Sequence, residues 1–261
     1  MLQITSKENQ LIKHIIKLKE KKYRKEYNEY IIEGVKIVEE SIEEKAKIKQ
    51  IIISEDAINS ELVQKHLKEK LQKIDYIQVP SNIFKLISEV EKPQGVLAVI
   101  EKENGGEYID YNQDIILALD DLQDPGNLGT IIRTADSAGV DAIILLKGCV
   151  DIYNPKVIRS TMGSIFDMNI IHATQDDAVN FLKSNDFNIV SSYLQTDNYY
   201  HETTYDGKIA LVIGNEANGI NDELIAQSDK LVKIPIYGNA ESLNAAISAA
   251  VLMYEIKKYL S

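Results

Sequence analysis

Fully apolar runs of four or five residues recur along the second half of the chain, and segments with helical spacing separate them. Strands that are apolar on both faces and alternate with helices are typical of a parallel sheet that helices cover on both sides. The pattern therefore predicts an α/β domain built on a parallel sheet. Its predicted strands are residues 115–119, 142–145, 188–191 and 209–213, and a helix over 243–260 follows.

The first half of the chain alternates in the same way, with shorter apolar runs. An opening helix with Ser6 as its N-cap is predicted by apolar residues at helical spacing, which are Leu11, Ile12, Ile15, Ile16 and Leu18. Further strands are predicted at 30–32, 48–53, 76–79 and 96–100, and helices at 35–41, 61–71 and 81–87. These elements predict a small, compact α/β domain.

Residues 101–107 are polar, contain glycine and lack periodicity, so they are the predicted linker. We therefore expect one domain over residues 1–105 and a second over 106–261. A chain of 261 residues is long enough for two such domains, each with its own core.

The composition, 44% hydrophobic and 26% charged, is that of an ordinary globular protein. No apolar run is long enough to span a membrane, and the N-terminus lacks the apolar core of a secretory signal. The single cysteine, Cys149, excludes an intramolecular disulfide and is expected to be a small buried residue. The four histidines show no metal-ligand spacing. We expect a cytoplasmic protein with no membrane or metal partner.

The net charge of −11 is unevenly distributed along the chain. Residues 1–105 carry 19 Lys and Arg against 18 Asp and Glu, whereas residues 106–261 carry 10 against 22. Between Lys7 and Lys25, eight basic residues oppose only Glu8 and Glu20. Such a run is either a solvated helix face or a surface for a polyanion. It is the segment in which a nucleic acid is electrostatically favoured.

Ligands of an open parallel sheet bind beyond the carboxyl ends of its strands, and the first loop there precedes a helix. Asn127 is a candidate N-cap of that helix, and Arg133 follows about two turns later beside an apolar stretch. An arginine in such a place needs an anionic partner, either a carboxylate in a structural ion pair or a phosphate.

Two further loops carry candidate chemistry. In the loop after residues 209–213, Glu216 lies between Gly214 and Gly219, as either an exposed acid in a turn or a site residue. The loop over 234–246 contains Ser242, a candidate cap of the last helix, and backbone groups that suit an adenine edge or a carboxylate. The sequence contains no Gly-x-Gly-x-x-Gly, P-loop or Gly-x-Ser-x-Gly motif.

Taken in order, the three loops resemble the motifs of the SpoU (TrmH-like) branch of the SPOUT methyltransferases. Asn127 with Arg133 matches the first motif, and Gly214 with Glu216 matches the second. The third motif is matched by Ile234, Pro235, Gly238, Ser242, Leu243 and Asn244. Residues 154–164 are similar to the family's Asn-Pro…Arg-x-Ser-x-Gly segment, and the resemblance covers about residues 107–260. Residues 1–100 resemble the ribosomal-protein-like, RNA-binding substrate domain often found ahead of it.

The resemblance implies a SPOUT domain with a deep C-terminal trefoil knot, a homodimer, and S-adenosylmethionine as cofactor. Its implied reaction is methylation of a ribose 2′-oxygen in structured RNA, with ribosomal RNA favoured over transfer RNA. Implied catalytic residues are Arg133, Asn127, Glu216, Ser242 and Asn244. Implied cofactor contacts are Leu194, Gly214, Ile234, Ile236 and Leu243, mostly through the backbone. RNA contacts are expected from Lys21, Lys22, Arg24 and Arg159.

The chain departs from the family at Ala245-Ala246, where many relatives have Val-Ser, so a hydroxyl is absent at residue 246. Arginine cannot act as a base at its ordinary pKa. Arg133 is therefore expected to orient the 2′-oxygen or stabilise the developing alkoxide. Two other hypotheses remain: a non-catalytic RNA-binding assembly factor on the same fold, and an enzyme with a small or protein substrate, which the acidic second half favours.

Overall fold

The computed structural model describes residues 2–102 and 114–260, so most of the predicted linker and the predicted domain boundary lie outside the described residues. The strands are β1 (Leu2–Gln3), β2 (Glu29–Glu33), β3 (Ile48–Ser54), β4 (Ile77–Val79), β5 (Val96–Glu101), β6 (Ile115–Leu119), β7 (Ala142–Leu145), β8 (Asn169–His172), β9 (Phe187–Ser192), β10 (Lys208–Ile213) and β11 (Lys230–Val232). The helices are α1 (Gln10–Leu18), α2 (Lys21–Tyr27), α3 (Val35–Glu43), α4 (Glu61–His66), α5 (Lys68–Leu71), α6 (Ser81–Ile87), α7 (Pro125–Ala138), α8 (Pro155–Thr161), α9 (Gln175–Ser184), α10 (Asp222–Ile225) and α11 (Ala245–Leu260).

The chain forms two compact units. The first unit includes a short segment from the second half of the chain. The first unit comprises Met1–Glu103 and Tyr153–Phe166, and the second comprises Asn104–Ile152 and Asp167–Ser261. Helix α8 therefore packs within the first unit, although the predicted division assigned it to the second. Its apolar side explains this, because Ile158 joins a core cluster of the first unit.

The first unit is built on a five-stranded mixed sheet in the order β1-β4-β3-β5-β2, in which β5 is antiparallel to both neighbours. Successive strand residues point to opposite faces. Ile51 and Ile53 accordingly belong to a cluster with α3, α4 and α8, whereas Ile52 belongs to a cluster with α1 and α6. The predicted α/β organisation is thus confirmed for this unit.

The opening helix is capped by a different residue from the one predicted. Helix α1 begins at Gln10, and the Asn9 side chain accepts a hydrogen bond from the backbone N–H of Leu11 at 2.9 Å. The Ser6 hydroxyl accepts from the N–H of Glu8 instead, outside the helix. The prediction of Ser6 as N-cap was wrong because Asn9, an equally good cap, lies nearer the first helical turn.

The second unit contains a six-stranded sheet in the order β11-β9-β10-β6-β7-β8, and every adjacent pair is parallel. The predicted parallel sheet is confirmed. Strands β8 and β11 were not predicted because both are short edge strands, and most of their residues are only partly buried. Helices α9 and α10 pack on one face, and α11 packs against α7 and β10.

Two cap predictions in the second unit were also wrong. The cap of α7 is Asp124, whose carboxylate accepts from the N–H of Asn127 at 2.8 Å, and Pro125 holds the first helical position. Helix α11 begins at Ala245, and the side-chain oxygen of Asn244 accepts from Ala246 N–H at 2.9 Å. Neither Asn127 nor Ser242 is thus a cap, so their side chains are available for other contacts.

Within residues 2–102 and 114–260, no helix has both the length and the apolar character needed to cross a membrane.

Candidate active site

A chain of side-chain hydrogen bonds joins the three loops that carry the predicted catalytic residues. The amide nitrogen of Asn127 donates to Oε1 of Glu216 at 2.6 Å. The amide oxygen of Asn127 accepts from Nδ2 of Asn244 at 2.9 Å. Asn127 therefore contacts Glu216, which is 89 positions away in sequence, and Asn244, which is 117 positions away. This one asparagine on α7 connects the other two loops.

The turn that carries Glu216 is fixed by its own backbone. Asn215 and Gly219 exchange two backbone hydrogen bonds of 2.9 and 3.0 Å, and the Asn215 side-chain oxygen accepts from the N–H groups of Ala217 and Asn218. Gly219 has a φ of +74°, which favours glycine. A Cβ on Gly214 would lie 2.3 Å from the backbone of Gly219, so a side chain is excluded there. This explains the glycine of the Gly-x-Glu motif.

Arg133 lies on the exposed side of α7, two turns after the first helical residue. Its guanidinium makes no ion pair or side-chain hydrogen bond with any residue in the described parts of the chain. The structural ion pair considered from the sequence is thus absent there. A guanidinium that is unpaired within residues 2–102 and 114–260 is available to a ligand anion or a developing negative charge.

The loop between β11 and α11 supplies an unusually long run of unused backbone groups. Among the described residues, none of 234–243 takes part in a backbone–backbone hydrogen bond. Ser242 is exposed, and Tyr237 is 92% exposed. The backbone of Tyr193 donates to the carbonyl of Val232 at 2.9 Å, so the segment with Leu194 lies beside the one leading to Ile234.

These segments were predicted to hold S-adenosylmethionine, and their donors and acceptors fit an adenosyl group. Leu194 is 56% exposed and Leu243 is 37% exposed, while Ile234 and Ile236 are half-buried. Free N–H and C=O groups beside apolar side chains match the edge and the faces of an adenine ring. Gly214, which excludes a Cβ, permits close approach of the backbone.

The four predicted RNA-binding residues all belong to the first unit, and they differ in exposure. Lys21 and Lys22 are exposed on α2, and Arg159 on α8 is half-buried. Arg24 is only 2% exposed, and its guanidinium donates to the carbonyls of Leu18 and Lys19 at 2.9 and 2.6 Å. The prediction of an RNA contact for Arg24 was wrong, because this side chain stabilises the end of α1.

Cys149 is partly buried, and its thiol donates to the Leu119 carbonyl at 3.2 Å. Burial raises the pKa of this thiol to about 11, so it is an unreactive structural group. The described residues include no set of three or more His, Cys, Asp or Glu side chains placed to hold a metal ion.

Some polar groups in the loops around the site were not singled out from the sequence. Asp124 caps α7 and thereby frees the Asn127 side chain. The amide of Asn215 donates to the Asp121 carbonyl at 2.8 Å and joins the first two loops. Asp120 accepts from the backbone N–H of Asn221 at 2.8 Å and is buried. The available signal was the position of Asp120 directly after β6 and of Asn215 two residues after β10, since parallel strands present their carboxyl ends at one edge.

Comparisons with known proteins agree with this geometry. The model of the SpoU rRNA methylase family matches residues 114–254, and an MRM3-like substrate-binding domain matches residues 9–98. The chain is 35% identical to the 23S rRNA (guanosine(2553)-2′-O)-methyltransferase RlmP of Bacillus subtilis, over 98% of this chain and 100% of that protein.

Two solved structures are informative. The AdoMet-bound rRNA methyltransferase of Sinorhizobium meliloti is 30% identical and has a TM-score of 0.87, covering 99% of this chain and 98% of that one. The TrmH/SpoU tRNA modifying enzyme of A. aeolicus is 26% identical with a TM-score of 0.50, covering 57% of this chain and 76% of that one.

The family match covers more than half of the chain, and one residue from each of the three motifs, Asn127, Glu216 and Asn244, takes part in one chain of hydrogen bonds. The chain therefore belongs to the SpoU family of S-adenosylmethionine-dependent RNA 2′-O-methyltransferases.

Proposed function

We propose that this protein methylates a ribose 2′-oxygen of ribosomal RNA, with Asn127, Arg133, Glu216, Ser242 and Asn244 as the residues around the reacting group. The observation that carries the proposal is the pair of hydrogen bonds through which Asn127 connects Glu216 and Asn244. Pre-positioned polar groups of this kind lower a barrier by holding reactants in a reactive geometry.

In this proposal Arg133 acts on the nucleophile. The 2′-hydroxyl loses its proton to solvent water as its oxygen forms the bond to the methyl carbon and the methyl–sulfur bond breaks, so negative charge develops on that oxygen. A guanidinium cannot accept the proton at its ordinary pKa, but it can stabilise the charge. The exposure of Arg133, and its lack of an anionic partner among the described residues, support this role. Ser242 and Asn244 position the ribose.

Bound S-adenosylmethionine supplies the electrophilic methyl group. We assign its binding to the backbone around Leu194, Gly214, Ile234, Ile236 and Leu243. Support comes from the unused backbone groups of residues 234–243 and from the close packing at Gly214. The family's knot would bring these loops together, and the position of β11 beside β9, with α11 back against α7, is compatible with it.

Ribosomal RNA is favoured over transfer RNA by the extent of the similarities. The 23S rRNA (guanosine(2553)-2′-O)-methyltransferase is similar to this chain over both units, whereas the A. aeolicus tRNA enzyme covers only 57% of it. We propose that the first unit, which that rRNA enzyme also matches, binds RNA through Lys21, Lys22 and Arg159. Folded RNA is recognised largely by shape and phosphates, so basic side chains that are at least partly exposed suffice.

We further propose a homodimer in the cytoplasm. Helix α11 carries large exposed apolar side chains, with Ile247 52% and Tyr254 54% exposed. A second copy of the chain covering these side chains would remove them from water. The bacterial rRNA enzyme similar to this chain supports the location.

The test is methyl transfer from radiolabelled S-adenosylmethionine to separated ribosomal and transfer RNA, both from cells that lack this protein. We expect label in the ribosomal fraction and, after nuclease digestion, in a 2′-O-methylated nucleoside. Label on a base would contradict the ribose assignment. RNA binding without label, and without cofactor affinity by calorimetry, would favour the assembly factor. Sedimentation of the same sample tests the dimer.

A further inference from the structure

The second unit contains a cavity of about 780 Å³ at the carboxyl edge of its sheet. Strands β6 and β10 are neighbours in the sheet, and the chain leaves them in opposite directions. From β6 it continues to β7 on one side of the pair, and from β10 it continues to β11 on the other side. The crevice between these two strand ends is the topological switch point, where open α/β sheets bind ligands. The cavity is lined there by Asp120 and Asp121 after β6. After β10 its lining residues are Asn215, Asn218, Gly219, Ile220 and Asn221.

None of the five residues named above for the cofactor lines this cavity, although Asn215 in the cavity wall directly follows Gly214. Its other walls come from the ends of β7 and β8 and from the start of α9. The cavity therefore has a different set of lining residues from the proposed cofactor site, and the established family activity leaves it without an occupant.

Asp120 is the polar group in the cavity wall that needs an explanation. It is 92% buried, since its relative exposure is 8%. Its Oδ2 accepts from the backbone N–H of Asn221 at 2.8 Å, and Oδ1 makes no hydrogen bond within the described parts of the chain. No cation pairs with it there. Burial raises the pKa of this carboxyl above its ordinary value, with a further contribution from the nearby Asp121. A buried, half-satisfied carboxylate is costly unless a ligand supplies hydrogen-bond donors.

The rest of the lining favours a planar, partly apolar ligand over a simple cation. Buried Leu145, Leu146 and Ile220 provide apolar wall, and Asn218 and Gln175 provide amide groups. Lys147 is exposed at the cavity wall, where a phosphate would be attracted. The volume lies within the usual range for small-ligand sites, about 300–1,000 Å³.

We infer that this cavity binds a guanine base of the substrate RNA, with the Asp120 carboxylate accepting from the base. Guanine presents two adjacent N–H donors, N1–H and the 2-amino group, to one carboxylate. Adenine presents an acceptor at N1 beside its amino group, and cytosine and uracil also mix donors with acceptors on that edge. The inference rests on the proposed function, because it assigns the base specificity of that RNA methyltransferase.

The cavity shares a loop with the proposed active site. Asn218, Gly219 and Asn221 face the cavity, while Glu216 of the same turn accepts from Asn127. A base held against this turn would restrict its motion and thereby the position of Glu216. Binding of the base in the cavity is thus coupled to the position of Glu216 through residues 216–221.

The test uses the full-length protein labelled with ¹⁵N and follows the backbone amides of Gly219 and Asn221 by NMR. The titrants are GMP, IMP, which lacks the 2-amino donor, and AMP. We expect saturable shifts with GMP, weaker binding of IMP, and binding of AMP weaker by about tenfold or more, the usual discrimination of a bidentate contact. Equal affinity for GMP and AMP would overturn the proposal, whether or not spermidine displaces GMP.

A second arm separates an RNA base from a free nucleotide. A single-stranded hexanucleotide with one guanosine should displace GMP from these amides, and the same oligonucleotide with adenosine in that place should not. Binding of GMP without displacement by the guanosine oligonucleotide would contradict recognition of RNA.

The matched variants are Asp120→Asn, which replaces the unpaired acceptor with a donor, and Asp176→Asn, which makes the same charge change on the exposed first turn of α9. We expect the GMP preference to disappear only in Asp120→Asn. S-adenosylmethionine affinity, measured by calorimetry, should persist in both, so failure of the cavity proposal is distinguishable from failure of the proposed reaction. An unchanged GMP preference in Asp120→Asn would reject the assignment. The wild-type comparison of GMP with IMP stands independently of how the variants fold.

Discussion

The two units use their polar side chains differently. In the first unit, buried or half-buried charged groups satisfy the unit itself: Arg24 binds the carbonyls at the end of α1, and Glu39 pairs with His66 and Lys70. In the second unit, exposed polar groups connect loops to one another, as Asn127 does for Glu216 and Asn244. Arg133 has no anionic partner in the described residues. These charged groups of the first unit thus stabilise its own fold, whereas these polar groups of the second unit connect the loops of the proposed active site.

The largest expected effect comes from removing the unpaired charge. We expect Arg133→Ala to lower kcat by about 10²–10³-fold, the usual cost of losing one charge-stabilising group, with S-adenosylmethionine affinity unchanged. Steady-state transfer assays and calorimetry provide the two measurements. Arg133→Lys, which keeps a charge without the planar guanidinium, should recover only part of the rate. Loss of cofactor affinity in Arg133→Ala would contradict the role assigned to this side chain.

The second-largest effect is expected from breaking the hydrogen bond between Asn127 and Glu216. Asn127→Asp replaces the donor to Glu216 with a second carboxylate, so the two side chains repel each other. We expect kcat to fall by about tenfold to hundredfold through misplaced groups. Asn59→Asp makes the same change at an exposed position of the first unit and is the control. Equal rates for Asn127→Asp and Asn59→Asp would show that the connection does not support catalysis.

For the first unit, the expected effect of a substitution is on the free energy of unfolding and not on the rate of catalysis. Arg24→Ala should lower the free energy of unfolding by about 1–3 kcal/mol, because buried carbonyls lose their donors. The double variant Lys21→Ala/Lys22→Ala should leave stability within about 0.5 kcal/mol and weaken RNA binding at low salt. Urea denaturation and filter binding measure the two quantities. A stable Arg24→Ala variant with weaker RNA binding would show that Arg24 contacts RNA and does not stabilise the end of α1.

The next prediction concerns Asp120 and the pH dependence of the free energy of unfolding. Its pKa is raised in the folded state by burial, so ionisation opposes folding. This cost is absent below the ordinary pKa of 3.8 and grows as pH rises through the raised folded value. Asp120→Asn should therefore gain stability relative to the wild type at neutral pH and lose that advantage in acid. Thermal unfolding from pH 4 to 8 checks the trend, and a pH-independent difference would contradict it.

The smallest expected effect concerns Cys149. Its thiol has a pKa of about 11 and donates to a backbone carbonyl, so alkylation at pH 8 should be much slower than for a free thiol. Mass spectrometry after iodoacetamide treatment measures the rate, with urea-unfolded protein as the reference. Equally rapid modification of the folded protein would show that the thiol is accessible.

Much of the fold followed from patterning because long apolar runs determine buried strands, and β6, β7 and β10 lie within one residue of their predictions. The order of motifs brought Asn127, Glu216 and Asn244 together correctly. What failed depended on competition between nearby residues or on distant packing. Asn9, Asp124 and Asn244 each displaced another predicted cap.

Charge patterning failed at Arg24 for a related reason. A basic run shows that lysines and arginines are close in sequence, and it does not show which of them the fold buries. Arg24 reaches the carbonyls at the end of α1, while Lys21 and Lys22 of the same helix remain exposed. Packing of α8 in the first unit likewise depends on a distant partner surface that periodicity cannot reveal.

The most direct test of this division between the units is the single-turnover rate constant of methyl transfer at saturating ribosomal RNA and S-adenosylmethionine. It is compared among the wild type, Lys21→Ala/Lys22→Ala and Arg133→Ala. We expect a wild-type rate constant for the lysine variant once RNA saturates, and a loss of about 10²–10³-fold for the arginine variant. A slow lysine variant at saturation beside an arginine variant of normal rate would contradict it.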